Sequence, residues 1–211
     1  MRHRIAVAGV AVAMAAGGLA GCGGDDGHRA APSRTVLVPG RPGEPNKTRV
    51  EGPRKAAPPT AAEVAFVQMM IPHHAQALEM SALAPSRASD RRVRALASRI
   101  GAAQKVEIAV MRSWLQQHSE AILKAHGRDH RAHAGMPGMA TKEQLGRLRD
   151  ARAAAFDKLY LTLMITHHQG ALTMVRNVLD RGTDVAVQEM ARDVQSTQTA
   201  EIGRMKGLLA G

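Results

Sequence analysis

The pattern of apolar and polar positions after residue 60 is helical. In the stretch that follows Asp90, apolar residues recur at steps of three and four, which places them on one face of a helix. That face consists of Val93, Ala97, Ile100, Gln104, Glu107, Ile108, Met111 and Leu115. We find no alternating pattern of the kind that indicates strands. The sequence therefore predicts an all-α protein.

Start and stop signals divide this region into four helices. Thr60 and Thr141 each begin a capping box. Asp90 and Asp184 have the character of N-cap residues, and Pro85 ends the first helix. The predicted helices run from Thr60 to about Ala84, from Asp90 to about His118, from Thr141 to about Asp180 and from Asp184 to the C-terminus. Two helical hairpins of this kind predict a four-helix bundle over residues 60–211.

The two hairpins are copies of each other at an offset of 94 residues. Met70-Ile71-Pro72-His73-His74 returns as Met164-Ile165-Thr166-His167-His168. Fifteen identities keep this register without a gap. Such self-similarity indicates an internal duplication. The repeated residues include polar ones that packing alone would not select.

These repeated polar residues are expected to meet in the centre of the bundle. Buried Glu and Gln are costly unless they are paired, and each lies within an apolar helix face. The predicted layer consists of His73, His74, Gln104, Glu107, His167, His168, Gln198 and Glu201. The methionines expected to line it are Met70, Met80, Met111, Met164, Met174 and Met205.

Two interpretations of this layer remain open. It is either a hydrogen-bond network in which Glu accepts from His and Gln links across, or a metal site. Imidazole suits copper, zinc and iron, whereas thioether sulfur selects Cu(I), so copper is the first candidate and zinc or no metal the others. The predicted ligands are His73, His74, His167, His168, Met70, Met80, Met164 and Met174. The residues predicted to orient them are Gln104, Glu107, Met111, Gln198, Glu201 and Met205.

The connection between the hairpins, at about residues 119–140, is biased toward the same residue types. It contains His126, His130, His133, Met136 and Met139. This composition is typical of a loose copper-collecting tract outside the cytoplasm, and equally of an exposed loop without a role.

The N-terminal part predicts export. A basic start and an apolar run over residues 1–21 form a signal peptide that ends in Leu19-Ala20-Gly21-Cys22. This ending resembles a bacterial lipobox, which would make Cys22 the lipidated first residue of the mature chain. Residues 22–59 are rich in Gly, Pro and Arg and are expected to form a disordered tether. The protein is thus expected at the outer face of the cell membrane, held by a lipid.

The charge of the chain does not point to nucleic acid. The net charge is +11, but only 2% of the residues are aromatic and few rings are present for base stacking. Basic residues are spread through the helices and are interpreted as a solvated surface. The sequence leaves self-association open.

The paired motifs resemble the domain of unknown function 305 family. The resemblance rests on Met-Ile-x-His-His in both halves, on Gln104-x2-Glu107-Ile108 with Met111, and on Gln198-x2-Glu201-Ile202 with Met205. It implies a ferritin-like helical bundle that is commonly exported, and some members of the family bind copper. Thr166 stands where proline is usual in the motif.

The expected function is copper sequestration or copper tolerance by a lipid-anchored protein. The alternative is a structural or interaction lipoprotein whose polar layer is only a hydrogen-bond network. An enzyme is not expected. Di-iron sites of helical bundles need Glu-x-x-His, and Met70 and Met164 stand where those glutamates would be.

Overall fold

The computed structural model describes residues 34–51, 57–126 and 136–211. The chain divides into two compact units, Met1–Lys55 and Ala56–Gly211. Predictions that concern residues 1–33, including the signal peptide and Cys22, lie outside the described residues.

The second unit is helical. Its described helices are α1 (Ala61–Ala82), α2 (Ala84–Arg87), α3 (Arg91–Gln117), α4 (Ser119–His126), α5 (Lys142–Asp150), α6 (Ala153–Arg181) and α7 (Val185–Ala210). The long helices α1, α3, α6 and α7 form the bundle: α1 packs along α3, α6 packs along α7, and α1 packs against α6. The predicted all-α four-helix architecture is confirmed.

The predicted N-caps are present. The Thr60 side chain accepts the Glu63 N–H, and the Glu63 carboxylate accepts the Thr60 N–H. Thr141 and Gln144 form the second capping box. Asp90 and Asp184 cap α3 and α7.

The third predicted helical stretch is divided. The α5 helix ends at Asp150, and α6 begins at Ala153 after two non-helical residues. The Arg152 guanidinium donates to the carbonyl oxygens of Arg149, Asp150 and Ala151. These bonds satisfy carbonyl groups that the end of α5 leaves without helical partners, and they thereby stabilise the break between the two helices.

The first unit contains strands that the sequence pattern did not predict. Strands β1 (Arg34–Val38) and β2 (Lys47–Glu51) form an antiparallel hairpin in which Val36 pairs with Arg49. The hairpin lies within the segment expected to be a disordered tether. Its first strand contains the run Thr-Val-Leu-Val, in which β-branched residues favour extended backbone. Its connection includes Gly43 at φ +90°, a conformation that glycine adopts readily.

Two buried carboxylates join the two hairpins of the bundle. Glu63 at the start of α1 accepts the N–H groups of Thr183 and Asp184, which lie between α6 and α7. Burial raises the pKa of Glu63, but the N–H donors of Asp184, Thr60 and Thr183 outweigh it and leave the pKa below its usual value.

Asp157, 94 residues after Glu63, makes the corresponding contacts from the second hairpin to the first. Its carboxylate accepts the Asp90 N–H at 2.9 Å, the Ser89 N–H at 3.2 Å and the Ser89 hydroxyl at 2.6 Å. We call Glu63 and Asp157, with these partners, the two carboxylate clamps. The sequence comparison of the halves missed them because one clamp uses Glu and the other Asp.

Candidate metal centre

The four histidines of the repeated motif lie at the middle of the bundle. His73 and His74 are on α1, His167 and His168 are on α6, and all four side chains are fully buried. They lie along their helices between two separate apolar clusters, which fill the two ends of the bundle. The predicted polar layer is therefore enclosed by apolar side chains above and below.

The six buried methionines divide between these clusters. Met80, Met164 and Met205 belong to one end, and Met70, Met111 and Met174 belong to the other. Adding or subtracting the repeat offset converts one set into the other. The two sets are thus equivalent in the duplication, and each of the two clusters that flank the histidine layer contains three buried thioether groups.

One histidine of each pair contacts a glutamate. His74 Nε2 lies 2.5 Å from Glu107 Oε2, and His168 Nε2 lies 2.8 Å from Glu201 Oε2. The glutamates come from α3 and α7, so each contact joins the two helices of one hairpin. With the Nε2 hydrogen donated to the carboxylate, the lone pair of each ring is on Nδ1. A carboxylate that fixes an imidazole in this way is the usual partner of a metal-binding histidine.

The other two histidines contact each other. The rings of His73 and His167 have centroids 3.7 Å apart and planes inclined by 35°. His73 Nε2 donates to the Pro137 carbonyl oxygen at 3.1 Å, since that oxygen can only accept. His167 has no hydrogen-bond partner on either ring nitrogen among the described residues. The two rings come from equivalent positions of the two repeats and have different surroundings.

Burial keeps these two rings neutral. Burial lowers the pKa of His73 to about 4. The hydrogen bond to the Pro137 carbonyl opposes this decrease, and His74 and His168 make smaller contributions that lower the pKa further. Burial and the neighbouring His73 lower the pKa of His167 well below its usual value. Neutral imidazole is the form that binds metal ions, so both rings have a lone pair available at neutral pH.

Many polar atoms of the layer have no partner. Nine buried nitrogen and oxygen atoms of the four histidines and of Gln104 and Gln198 have no hydrogen-bond partner among the described residues. They comprise Nδ1 of all four histidines, Nε2 of His167 and both amide atoms of each glutamine. The glutamines therefore do not link the layer as a hydrogen-bond network would require. The histidine–glutamate contacts expected of such a network are present, whereas the glutamine hydrogen bonds across it are absent among the described residues.

The end of the long connection covers the histidine layer on one side. Gln76 donates to the Ala140 carbonyl at 2.9 Å and accepts the Ala140 N–H at 2.7 Å. Gly138 and Gly170 allow this segment to approach α6 closely, because a Cβ on Gly170 would lie 1.9 Å from the Pro137 oxygen. We call residues 136–140 the covering segment. The sequence pattern does not reveal this segment, because the bonds that position it join residues 64 positions apart in the chain.

Only part of the predicted copper-collecting tract lies within the described residues. Met136 and Met139 lie half-buried in the covering segment, on either side of Pro137 and Gly138. His130 and His133 lie outside the described residues, as does the side chain of His126. The part of the tract that can be seen thus lies next to the histidine layer.

The described side chains do not form a complete carboxylate or imidazole cage. Within residues 34–51, 57–126 and 136–211, no three His, Cys, Asp or Glu side chains are grouped so that they could hold a metal ion. A metal site in this layer would therefore combine one or two imidazole nitrogens with thioether sulfur atoms.

Comparison with known proteins identifies the family. The family described as "Domain of unknown function (DUF305)" matches residues 63–209, which is nearly the whole bundle. The chain belongs to the DUF305 family. The resemblance seen in the sequence is thereby confirmed.

Solved structures of the family share the fold. A DUF305 fragment from Deinococcus radiodurans is 35% identical with a TM-score of 0.63, over 73% of this chain and 99% of that one. A DUF305 protein from Streptomyces coelicolor, described as secreted, is 34% identical with a TM-score of 0.62, over 71% and 91%. CopM in its Cu(I)-bound form is 29% identical with a TM-score of 0.57, over 69% and 94%.

A curated relative matches a shorter stretch. The uncharacterized protein L153 of Acanthamoeba polyphaga mimivirus is 38% identical over 60 residues. This match covers 28% of the present chain and spans 40% of the length of that relative.

Proposed function

We propose that this protein binds copper outside the cytoplasmic membrane and sequesters it, with Cu(I) held by histidine and methionine side chains of the bundle. His73, His74, His167 and His168 supply imidazole nitrogen, and the methionines on either side supply thioether sulfur. Glu107 and Glu201 orient the imidazoles of His74 and His168. The copper ion is the cargo of the protein and not a catalytic group.

The observation that carries this proposal is the set of unpartnered nitrogens in the histidine layer. A buried polar atom without a partner costs about 1–3 kcal/mol, and buried polar groups in folded proteins normally have a partner. Nδ1 of all four histidines and Nε2 of His167 are in this state among the described residues. Metal coordination supplies a partner to a neutral ring nitrogen without requiring a proton.

Copper is favoured by the methionines and by a relative. Thioether sulfur is a ligand for soft ions such as Cu(I) and is poorly suited to hard ones. Six buried methionines flank four histidines in this bundle. CopM, which shares the fold, has been solved with Cu(I), with Cu(II) and with silver bound.

Binding is proposed in preference to catalysis. The positions three residues before His73 and His167 are Met70 and Met164, which removes the carboxylates that a di-iron oxidase uses. The surroundings of the layer are apolar on both sides. They suit retention of an ion more than access for a substrate.

Export and lipid anchoring complete the proposal. Leu19-Ala20-Gly21-Cys22 supports lipidation of Cys22 at the outer face of the membrane. In the part of the chain that the structure describes, no helix has the length and apolarity to span a membrane. The relative from Streptomyces coelicolor is described as secreted.

Titration of Cu(I) against a chromogenic chelator under reducing conditions tests the proposal. The double variant His73→Gln/His167→Gln should lose at least one Cu(I) equivalent, because it removes both rings of the central contact. The control is His118→Gln, whose ring stacks on Trp114 outside the layer and which should keep full binding. Wild-type stoichiometry and affinity in the double variant would contradict the proposal.

A second variant separates copper binding from a purely structural layer. Met80→Leu/Met174→Leu preserves side-chain volume, so folding should change little. Its Cu(I) affinity should fall by about tenfold or more, while its Zn(II) affinity stays constant, because the neutral thioether sulfur of methionine suits soft Cu(I) much better than Zn(II). A protein that binds neither ion and melts at the same temperature with and without Cu(I) would support the structural alternative.

A further inference from the structure

No described residue fills the face of the bundle between α3 and α7. The two helices run antiparallel and have few contacts with each other, whereas α3 packs closely on α1 and α7 packs closely on α6. Two grooves lie along this seam, with volumes of about 370 and 400 Å³. Each groove is bordered by the start of one helix and the end of the other.

The two grooves are related by the duplication. The first is lined by Val110, Ser113 and Trp114 of α3 and by Glu189, Met190 and Asp193 of α7. The second is lined by Arg92, Leu96 and Arg99 of α3 and by Arg204 and Leu208 of α7. At the repeat offset of 94 residues, the equivalent positions are Met190 and Leu96, Asp193 and Arg99, and Val110 and Arg204. The grooves occupy equivalent places in the two repeats, and the net charges of their linings are opposite.

Most of these charges have no ion-pair partner among the described residues. Glu189, Asp193, Arg99 and Arg204 are exposed and form no ion pair among the described residues. Arg92 differs, because its guanidinium binds the Asp90 carboxylate at 2.8 Å. We call Glu189 and Asp193 the acidic end of the seam, and Arg99 and Arg204 the basic end.

Exposed apolar side chains lie between the two ends. Val106 is 63% exposed and Val110 is 47% exposed, at helical spacing along the seam side of α3. The residues opposite them on α7 include Thr197 and Ala200, which are small and also exposed. The seam thus has a basic end, an apolar middle and an acidic end over a length of about 35 Å, from the rise of a helix.

We propose that this face binds a second copy of the chain in an antiparallel, two-fold symmetric dimer. A two-fold axis that crosses the seam at its middle places the basic end of each copy on the acidic end of the other. Arg204 of one copy then lies across from Glu189 and Asp193 of its partner, with Arg99 next to them. The same operation brings the two apolar middles together. A parallel arrangement would place like charges together at both ends, which disfavours it.

Charge reversal tests both the surface and the orientation. The variant Arg99→Glu/Arg204→Glu makes both ends acidic, and Glu189→Lys/Asp193→Lys makes both ends basic. Each variant alone should sediment as a monomer under conditions in which the wild-type chain is a dimer. An equimolar mixture should recover the dimer, because each end then meets its opposite charge. Analytical ultracentrifugation of the full chain, with Cys22→Ala in every sample to prevent lipidation, measures these states.

The control variant Arg112→Glu/Lys158→Glu changes the net charge by the same amount as the acidic variant. Both residues are exposed, Arg112 lies about 200° around α3 from Val110, and Lys158 is on α6. This control should remain a dimer. Increasing salt should weaken the wild-type dimer, since the exposed charges are screened. A wild-type chain that stays monomeric at low salt, or a mixture of the two variants that stays monomeric, would overturn the proposal.

Discussion

At the scale of single residues, the central fact is that four imidazoles of nearly identical sequence context have three different surroundings. His74 and His168 each contact a glutamate, His73 contacts a backbone carbonyl, and His167 lies against the His73 ring without a hydrogen bond from either of its nitrogens to a described residue. Their chemistry therefore differs even though their sequence motif repeats. His167 lacks a hydrogen-bond partner among the described residues, so coordination of a metal ion would stabilise this ring more than the other three.

The low pKa of His73 predicts a pH dependence of stability in the metal-free protein. The folded state binds this proton only near pH 4, whereas the unfolded state binds it near pH 6.5. Stability should therefore fall as the pH decreases below 6.5, and by pH 5 this group accounts for roughly 2 kcal/mol. Burial of His167 acts in the same direction.

Urea unfolding at pH 7 and pH 5 measures this effect. His73→Gln should show a smaller difference between the two pH values than the wild type, and His118→Gln should show the full difference. Equal stability of the wild type at both pH values would contradict the assignment of a neutral His73.

At the scale of elements, the covering segment is positioned by two glycines that leave no room for a side chain. Gly138 has φ +81°, and its neighbours include the Thr166 carbonyl and the backbone of Gly170. Close backbone approach of this kind needs glycine on both sides. The contact places Pro137 where its carbonyl can accept from His73.

Gly170→Ala should detach this segment. The added Cβ would lie 1.9 Å from the Pro137 oxygen and 2.4 Å from its carbon, which are backbone atoms that cannot rotate away. We expect a loss of about 1–3 kcal/mol in stability and faster amide exchange in the covering segment. Gly146→Ala is the matched control: nothing lies within 4 Å of its Cβ, and it should be neutral or slightly stabilising. Unchanged exchange near Ala140 in the first variant would refute this account.

Local signals predicted the helices and their caps, and distant contacts decided the rest. Thr60 and Asp90 could be recognised as N-caps because a cap is defined within four residues. The bond between Gln76 and Ala140 joins residues far apart in the chain, so no sequence window contains it. The division between α5 and α6 escaped prediction because neither Gly nor Pro marks it: the two non-helical residues are Ala151 and Arg152.

The histidine layer could be predicted for a different reason. Repeated His, Gln and Glu at buried helical positions show directly that polar groups enter the core. The pairing of His74 with Glu107 followed the expectation, but the sequence had no means to show that the amides of Gln104 and Gln198 would lack partners. That outcome depends on rotamers and on the distance between helices.

At the scale of the whole molecule, the carboxylate clamps hold the two hairpins together. Glu63 belongs to the first hairpin and binds N–H groups of the second, and Asp157 does the reverse. Both carboxylates are buried, so their hydrogen bonds are little weakened by water.

Removing a clamp charge should destabilise the whole bundle. Asp157→Asn replaces a carboxylate that accepts three hydrogen bonds with an amide that can accept fewer, and should lower the free energy of unfolding by about 2–4 kcal/mol. Asp180→Asn, at an exposed position on α6, should change it by less than about 0.5 kcal/mol. Chemical denaturation compares the two variants, and similar midpoints for both would show that the clamp does not contribute.

The reciprocal clamps also have a consequence for the origin of the fold. A single hairpin could satisfy both of them by pairing with an identical molecule, so the present chain is built like a dimer whose two genes were joined. Before such a fusion, the two grooves along the seam between α3 and α7 had to carry the same residues. Only after the halves became separate stretches of one gene could one groove gain acids and the other gain arginines. With identical grooves, a two-fold pair of molecules would bring like charges together. The charge pairing proposed between two copies therefore requires that the two halves of each chain have become different.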